Sequence, residues 1–174
     1  MKKRNNIHRN ARQAGVAILS KPLFIALALV IINLNSFSQN SCKIQLSAEH
    51  NRTVRTITDS EYVYALFVIN SGTSDRDISL SAGNYNEECT NPDGLPVDSN
   101  INLNISLLDS DLQPISNNVR LGPGGSYKFF LKVEVPDGSP FDAWNCTQVI
   151  ASSQGCRPAT LLLHTFYPNP ENLE

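Results

Sequence analysis

From residue 43 onward, apolar residues recur at every second position in short runs separated by clusters of Gly, Pro, Asn, Asp and Ser. That period of two belongs to β-strands with one buried face. The clearest run is Ser126–Val135, where Tyr127, Phe129, Leu131, Val133 and Val135 alternate with Lys128, Phe130, Lys132 and Glu134. One side of this strand is predicted to be buried and the other wet. Ile101–Leu108 repeats the pattern, with Ile101, Leu103, Ile105 and Leu107 opposite Asn102, Asn104 and Ser106. Further strands are predicted at about 43–49, Glu61–Asn70, Asp77–Ala82, about Thr147–Ser152 and about Ala159–Phe166. Residues 50–60 are polar, with room for a short edge segment around Val54–Ile57. Ser71–Asp75, Asp109–Asp111, Leu121–Gly125 and Pro136–Gly138 read as turns, and 83–100 as a long loop. No helical period is sustained and no repeat is visible. Seven strands at this spacing predict an all-β antiparallel sandwich.

Ahead of the strands the pattern changes. Residues 2–21 hold Lys2, Lys3, Arg4, Arg9, Arg12 and Lys21 and no acid. An apolar run of 11 residues, Pro22–Ile32, follows, and then the small and polar Asn33–Gln39. A basic region, a short apolar region and a small-residue exit make a secretory signal peptide, with cleavage expected near Ser38 or Gln39. A spanning helix needs about 20 apolar residues, and Lys21 separates this run from the apolar residues 14–19. Both facts weigh against an uncleaved anchor, so any membrane contact is expected only through this segment. Gln39-Asn-Ser before Cys42 does not resemble a lipobox. The expected organisation is a signal peptide at 1–39, the sandwich at 40–168 and a tail at 169–174.

Removing the leader changes the charge picture. The whole chain carries a formal net charge of −2. The expected mature part holds all sixteen acids against eight Lys and Arg, a net of −8. Such a surface opposes nucleic acid and anionic membranes, both of which require basic residues against phosphate. All four cysteines, Cys42, Cys89, Cys146 and Cys156, lie in the mature part. An even count in an exported chain reads as two disulfides.

Several segments together resemble a known group. Tyr64-Ala-Leu-Phe-Val-Ile-Asn-Ser-Gly72 is similar to a strand that ends in Asn-x-Gly. Val119-Arg-Leu-Gly-Pro-Gly-Gly-Ser126 resembles a Pro-Gly-x-Ser turn, and Phe129–Pro136 with Pro140 resembles a Val-x-Val-Pro strand exit. In this order they resemble bacterial Ig-like and fibronectin type III-like modules, the group that includes the NEW3 domain, over about residues 43–166. The resemblance implies a seven-stranded sandwich with no catalytic residues and no cofactor. Four cysteines and the long 83–100 loop depart from it. The leader's Ser36-Phe-Ser-Gln39 resembles leaders of the Bacteroidetes group. Tyr167-Pro-Asn-Pro170 resembles the opening of the sorting domain of type IX secretion, whose further residues do not follow here.

Strand order constrains the disulfides. Alternating strand directions put Cys42 and Cys156 at one end of the sandwich and Cys89 and Cys146 at the other. Cys146 and Cys156 are then about 20 Å apart at about 3.3 Å per residue, whereas a disulfide needs Cα atoms within about 7 Å. Cys42–Cys156 and Cys89–Cys146 are therefore expected. The pairing Cys146–Cys156 with Cys42–Cys89 stays open if the strand from Thr147 is shorter.

Candidate chemistry is sparse. His50 and His164 are the mature histidines, and no triad geometry can be assigned to either. His164 is expected to face solvent from a strand. Asp109-Ser-Asp111 offers oxygens but lacks the spaced further ligands of a Ca²⁺ loop, and reads as a turn. No metal site is expected. Trp144, with Phe141, lies in a segment read as loop and is a candidate sugar contact; the alternative is packing over the core's end. The strand Glu61–Asn70 is apolar on both faces, which makes Val63, Phe67 and Ile69 a candidate partner surface unless residues 50–60 or the 83–100 loop cover them. The expected function is a non-catalytic structural or protein-binding module of the cell envelope. The alternative is a carbohydrate-binding accessory domain, so the partner is an envelope protein or a glycan.

Overall fold

Alternation becomes sheet wherever an apolar face can be buried against a second sheet. A computed structural model of the protein describes residues 42–115 and 118–172. The expected signal segment, 1–39, lies outside these residues. The described residues form nine strands: β1 (Ile44–Ala48), β2 (Val54–Thr56), β3 (Glu61–Asn70), β4 (Arg76–Asn84), β5 (Asn104–Leu108), β6 (Asn118–Leu121), β7 (Ser126–Glu134), β8 (Ala143–Ser152) and β9 (Ala159–Tyr167). They form a four-stranded sheet, β1-β3-β7-β5, and a five-stranded sheet, β2-β9-β8-β4-β6.

Between the sheets lie Leu66, Val68, Phe129, Leu131 and Val133 from one side and Ile78, Leu80, Val149, Ala151 and Leu163 from the other, all fully buried. Burying each larger side chain of this set stabilises by about 1.5–3 kcal/mol.

The sandwich class agrees with the sequence, but there are nine strands rather than seven. The additional two are β2 and β6, both short edge strands. β2 falls in the short edge segment expected around Val54–Ile57, whereas Asn118-Val-Arg-Leu is too short a pattern to separate from a turn. β2 also runs parallel to β9, so the pairing is not wholly antiparallel. The expected strand at Ile101 begins only at Asn104, although Ile101 and Leu103 are buried in the core. β8 begins at Ala143, four residues before the expected start.

Two of the motifs form one structural unit. Asn70 is fully buried at the inward end of β3. Its Nδ2 donates to the carbonyls of Ser74, Leu121 and Gly122, and its Oδ1 accepts from the Gly72 N–H. Its backbone carbonyl accepts from Gly124 N–H, where φ is +71° and glycine is the residue that fits. The Asn-Ser-Gly exit and the Gly-Pro-Gly-Gly turn thus join the sheets by satisfying one buried amide.

Cys42 is bonded to Cys156, Cα to Cα 5.4 Å, and Cys89 to Cys146, 6.3 Å. The first ties the chain just before β1 to the β8–β9 turn. The second ties the 85–103 loop to β8.

Candidate functional site

In β8 the residues facing the core are Ala143, Val149 and Ala151. Trp144 and Cys146 therefore point outward from the five-stranded sheet. β9 pairs with β8 so that Trp144 lies opposite Phe166 and Cys146 opposite His164. The 85–103 loop lies over this outward face. Its two ends complete the ladder where β4 stops: Tyr85 N–H donates to the Cys146 carbonyl at 2.7 Å, and Ile101 N–H to the Trp144 carbonyl at 2.8 Å. Asn86 secures the junction, its Oδ1 accepting from Cys146 N–H at 2.8 Å and its Nδ2 donating to the Ile101 carbonyl and to Asn102 Oδ1.

Under this loop a small second core has formed. Trp144 is 9% exposed and lies against Phe166, ring centroids 4.9 Å apart. Its Nε1–H donates to Asp93 Oδ2 at 2.7 Å. Asp93 is held below the usual carboxylate range, first by the Leu95 backbone N–H it accepts and then by the Trp144 indole. This corrects the expectation that Trp144 sits in a loop free to stack on a sugar: it belongs to β8 and is covered. Phe141 is 47% exposed, and its ring lies 5.0 Å from that of Tyr167.

His164 faces outward, as its strand position predicts, but it is half-buried beneath the loop rather than open to solvent. Its Nε2 lies 3.2 Å from Cys89 Sγ and 3.8 Å from Cys146 Sγ. Burial pushes its pKa down, and a hydrogen bond with the Thr90 backbone opposes that shift. This grouping of two sulfurs and an imidazole escaped the sequence reading, because Cys89 is 75 residues from His164. The Cys146–His164 register is the one signal that a strand alignment holds in advance.

The outward face of the four-stranded sheet differs. Val63, Ala65, Phe67 and Ile69 of β3 point away from the core, and Phe130 of β7 lies beside Ala65. Val63 is 36% exposed, and Phe67 and Ile69 are partly exposed. The 85–103 loop, named in the sequence reading as a cover for this strand, lies over the other sheet instead. Residues 54–56 form β2 beside β9, and the 49–55 segment approaches the start of β3, where Arg55 lies over the Tyr62 ring at 5.4 Å and lines a hollow with Val63 and Ala65. The Lys128 ammonium sits over the rings of Phe67 and Phe130, at 5.6 and 5.4 Å, and pairs with Glu49 at 2.9 Å. Lys132 bridges Glu61 and Glu134, each at 2.7 Å, which pushes its pKa up to about 12.

A cleft of about 590 Å³ opens along the 85–103 loop, lined by Tyr85, Asn86, Glu87, Glu88, Asp98 and Asn102 among others. The Tyr85 hydroxyl donates to Glu88. Asp109 Oδ1 accepts from the N–H groups of Asp111 and Gln113, so Asp109-Ser-Asp111 is a self-satisfied turn.

No protein-family model matches the chain, and no curated protein does, so the likeness to the NEW3-type group stays with the residues that carry it. Solved structures with a similar course of the chain include a family 123 glycoside hydrolase from Clostridium perfringens (8% identity, TM-score 0.49, 73% of this chain and 28% of that one). They also include the E. coli chaperone DraB (13%, 0.41, 74% and 56%) and a conjugative transposon lipoprotein from Bacteroides eggerthii (9%, 0.40, 70% and 95%). This chain spans 28% of the hydrolase's length.

Proposed function

We propose that the chain is an exported, non-catalytic protein-binding module of the cell envelope, and that it binds through the outward face of the four-stranded sheet. The observation that carries this reading is the partly exposed row Val63, Phe67 and Ile69 beside Phe130, interleaved with the salt-bridged Lys128 and Lys132 of the neighbouring strand. Aromatic side chains exposed on a surface are enriched at protein interfaces, and Lys128 over the rings of Phe67 and Phe130 adds a cation to the aromatic pair. The occupant is another protein that presents apolar side chains to this row. Two cysteine pairs joined as disulfides fit an oxidising compartment, and the basic, then apolar leader fits export.

The test places a photo-crosslinking residue at Val63 and isolates the adduct from the envelope fraction. A single partner is expected, whose capture falls by about 30-fold or more with Phe67→Glu, the loss of an aromatic hot spot of about 2 kcal/mol. Phe141→Ser, in the β7–β8 connection and beside Tyr167 of the other sheet, should leave capture unchanged. Capture that survives Phe67→Glu would exclude this face.

A second reading is a glycan held in the cleft of the 85–103 loop. It is favoured by the amides and carboxylates around Tyr85, groups that hydrogen-bond hydroxyls. A glycan array with Tyr85→Ala as control decides it; Trp144→Ala is the wrong control, because Trp144 is covered.

A further inference from the structure

The grouping beneath the 85–103 loop has a chemistry that the binding reading does not use. We propose that Cys89, Cys146 and His164 form a metal site that opens when their disulfide is reduced, and that it takes one thiophilic ion, Zn²⁺ or Cu⁺. The site lies on the five-stranded sheet and does not rest on the proposed partner face.

The ligand atoms already converge. Both sulfurs and a histidine ring nitrogen lie within 4.8 Å of one another. A Zn–S bond of about 2.3 Å and a Zn–N bond of about 2.0–2.1 Å, at the tetrahedral angle, put sulfur and nitrogen about 3.6 Å apart. The observed separations from His164 Nε2, 3.2 Å to Cys89 and 3.8 Å to Cys146, bracket that value. Thiolates and imidazole are the donors that Zn²⁺ and Cu⁺ prefer.

The scaffold suits a metal as well. Cys146 and His164 are direct cross-strand partners in β8 and β9, so their backbones hold two ligands at a fixed spacing. His164 is anchored on both sides of its peptide: its N–H donates to the Thr53 carbonyl at 2.7 Å, and its carbonyl accepts from the Tyr64 hydroxyl at 3.2 Å. Cys89 comes from the loop and is the ligand able to move as the sulfurs separate to about 3.8 Å around the ion. His164 is half-buried while both sulfurs are buried, so a fourth ligand would be a solvent molecule reaching the ion from the His164 side.

The reductant is a dithiol. One of its thiolates attacks a sulfur of the Cys89–Cys146 bond, its second thiol resolves the mixed disulfide, and it leaves as its own disulfide. The two electrons and two protons remain on Cys89 and Cys146 as thiols. Metal binding then releases both protons as the thiolates ligate.

The test uses the full chain, reduced without oxygen by a phosphine and titrated with Zn²⁺, Cu⁺ or Co²⁺ against a chromophoric competitor. One ion per chain is expected after reduction and none before it, with thiolate-to-Co²⁺ charge-transfer absorption. Loss of an outer partner alone costs about 10- to 100-fold, so His164→Gln is expected to weaken binding by about 100-fold or more. The double variant Cys42→Ser with Cys156→Ser should keep the stoichiometry and the affinity. The near-ultraviolet signal of Trp144 reports whether the fold persists. Equal binding by the oxidised chain, unchanged binding by His164→Gln, or no saturable binding by a folded reduced chain overturns the site. So does a reduced chain that unfolds and does not refold with the ion.

Discussion

The two sheets turn different faces outward. The outer face of the five-stranded sheet carries Trp144, Phe166, Cys146 and His164, and the 85–103 loop covers them with a disulfide, an indole–carboxylate bond and a set of asparagine contacts. The outer face of the four-stranded sheet carries a comparable apolar row, Val63 to Ile69 with Phe130, and keeps it partly exposed. An outward apolar side chain therefore has two fates in this fold. Under the loop it is a second core, and on the open sheet it stays partly exposed.

The sharpest way to break this contrast is to truncate one aromatic on each face. Trp144→Ala should cost about 3–5 kcal/mol of unfolding free energy, as for a buried aromatic, and Phe67→Ala about 1 kcal/mol or less. Denaturant titration measures both, and equal losses would end the distinction. Asn86→Ala comes next, at about 1–3 kcal/mol, because it orphans the Cys146 N–H beneath the loop. A faster amide exchange at Cys146 should accompany that loss. The smallest effect is acid loosening. A carboxylate held low stabilises above its unfolded value of about 3.9, and its contribution fades as pH falls through the folded value. Trp144 is the chain's single tryptophan, so its emission should shift toward that of an exposed indole below about pH 4. Asp93→Asn should remove that pH dependence, and a shift retained in this variant would detach it from the Asp93 contact.

What was legible in the sequence follows period two. β7 shows it cleanly, because apolar side chains point into the core and mostly charged or polar ones out, whereas β3 is apolar on both faces and is marked by its long run of β-formers instead. Strand order alone also favoured the cysteine pairs that the structure contains. The first half of β8 was illegible for a physical reason. Its inward residues include Asn145 and Thr147, both fully buried, while Trp144 and Cys146 point outward, so the apolar phase is inverted. The inversion is tolerated because Asn145 Nδ2 donates to Asn84 Oδ1 and the Ile101 carbonyl, and Thr147 Oγ1 donates to Asn145 Oδ1. One of these partners is the last residue of β4 and the other comes from a loop whose course no local pattern encodes.

The Cys42–Cys156 bond has a mechanical consequence. A chain pulled from its two ends transmits tension from Cys42 across the sulfurs to Cys156, a sequence separation of 114 that the crosslink bypasses. Within the described fold, the covalent path beyond that crossing runs through β9, held between β2 and β8. Force then acts along β9 and loads the hydrogen bonds on both its sides in shear, while β1 and β3 carry no load. Extension stops once β9 yields, and most of the sandwich stays locked behind the crosslink.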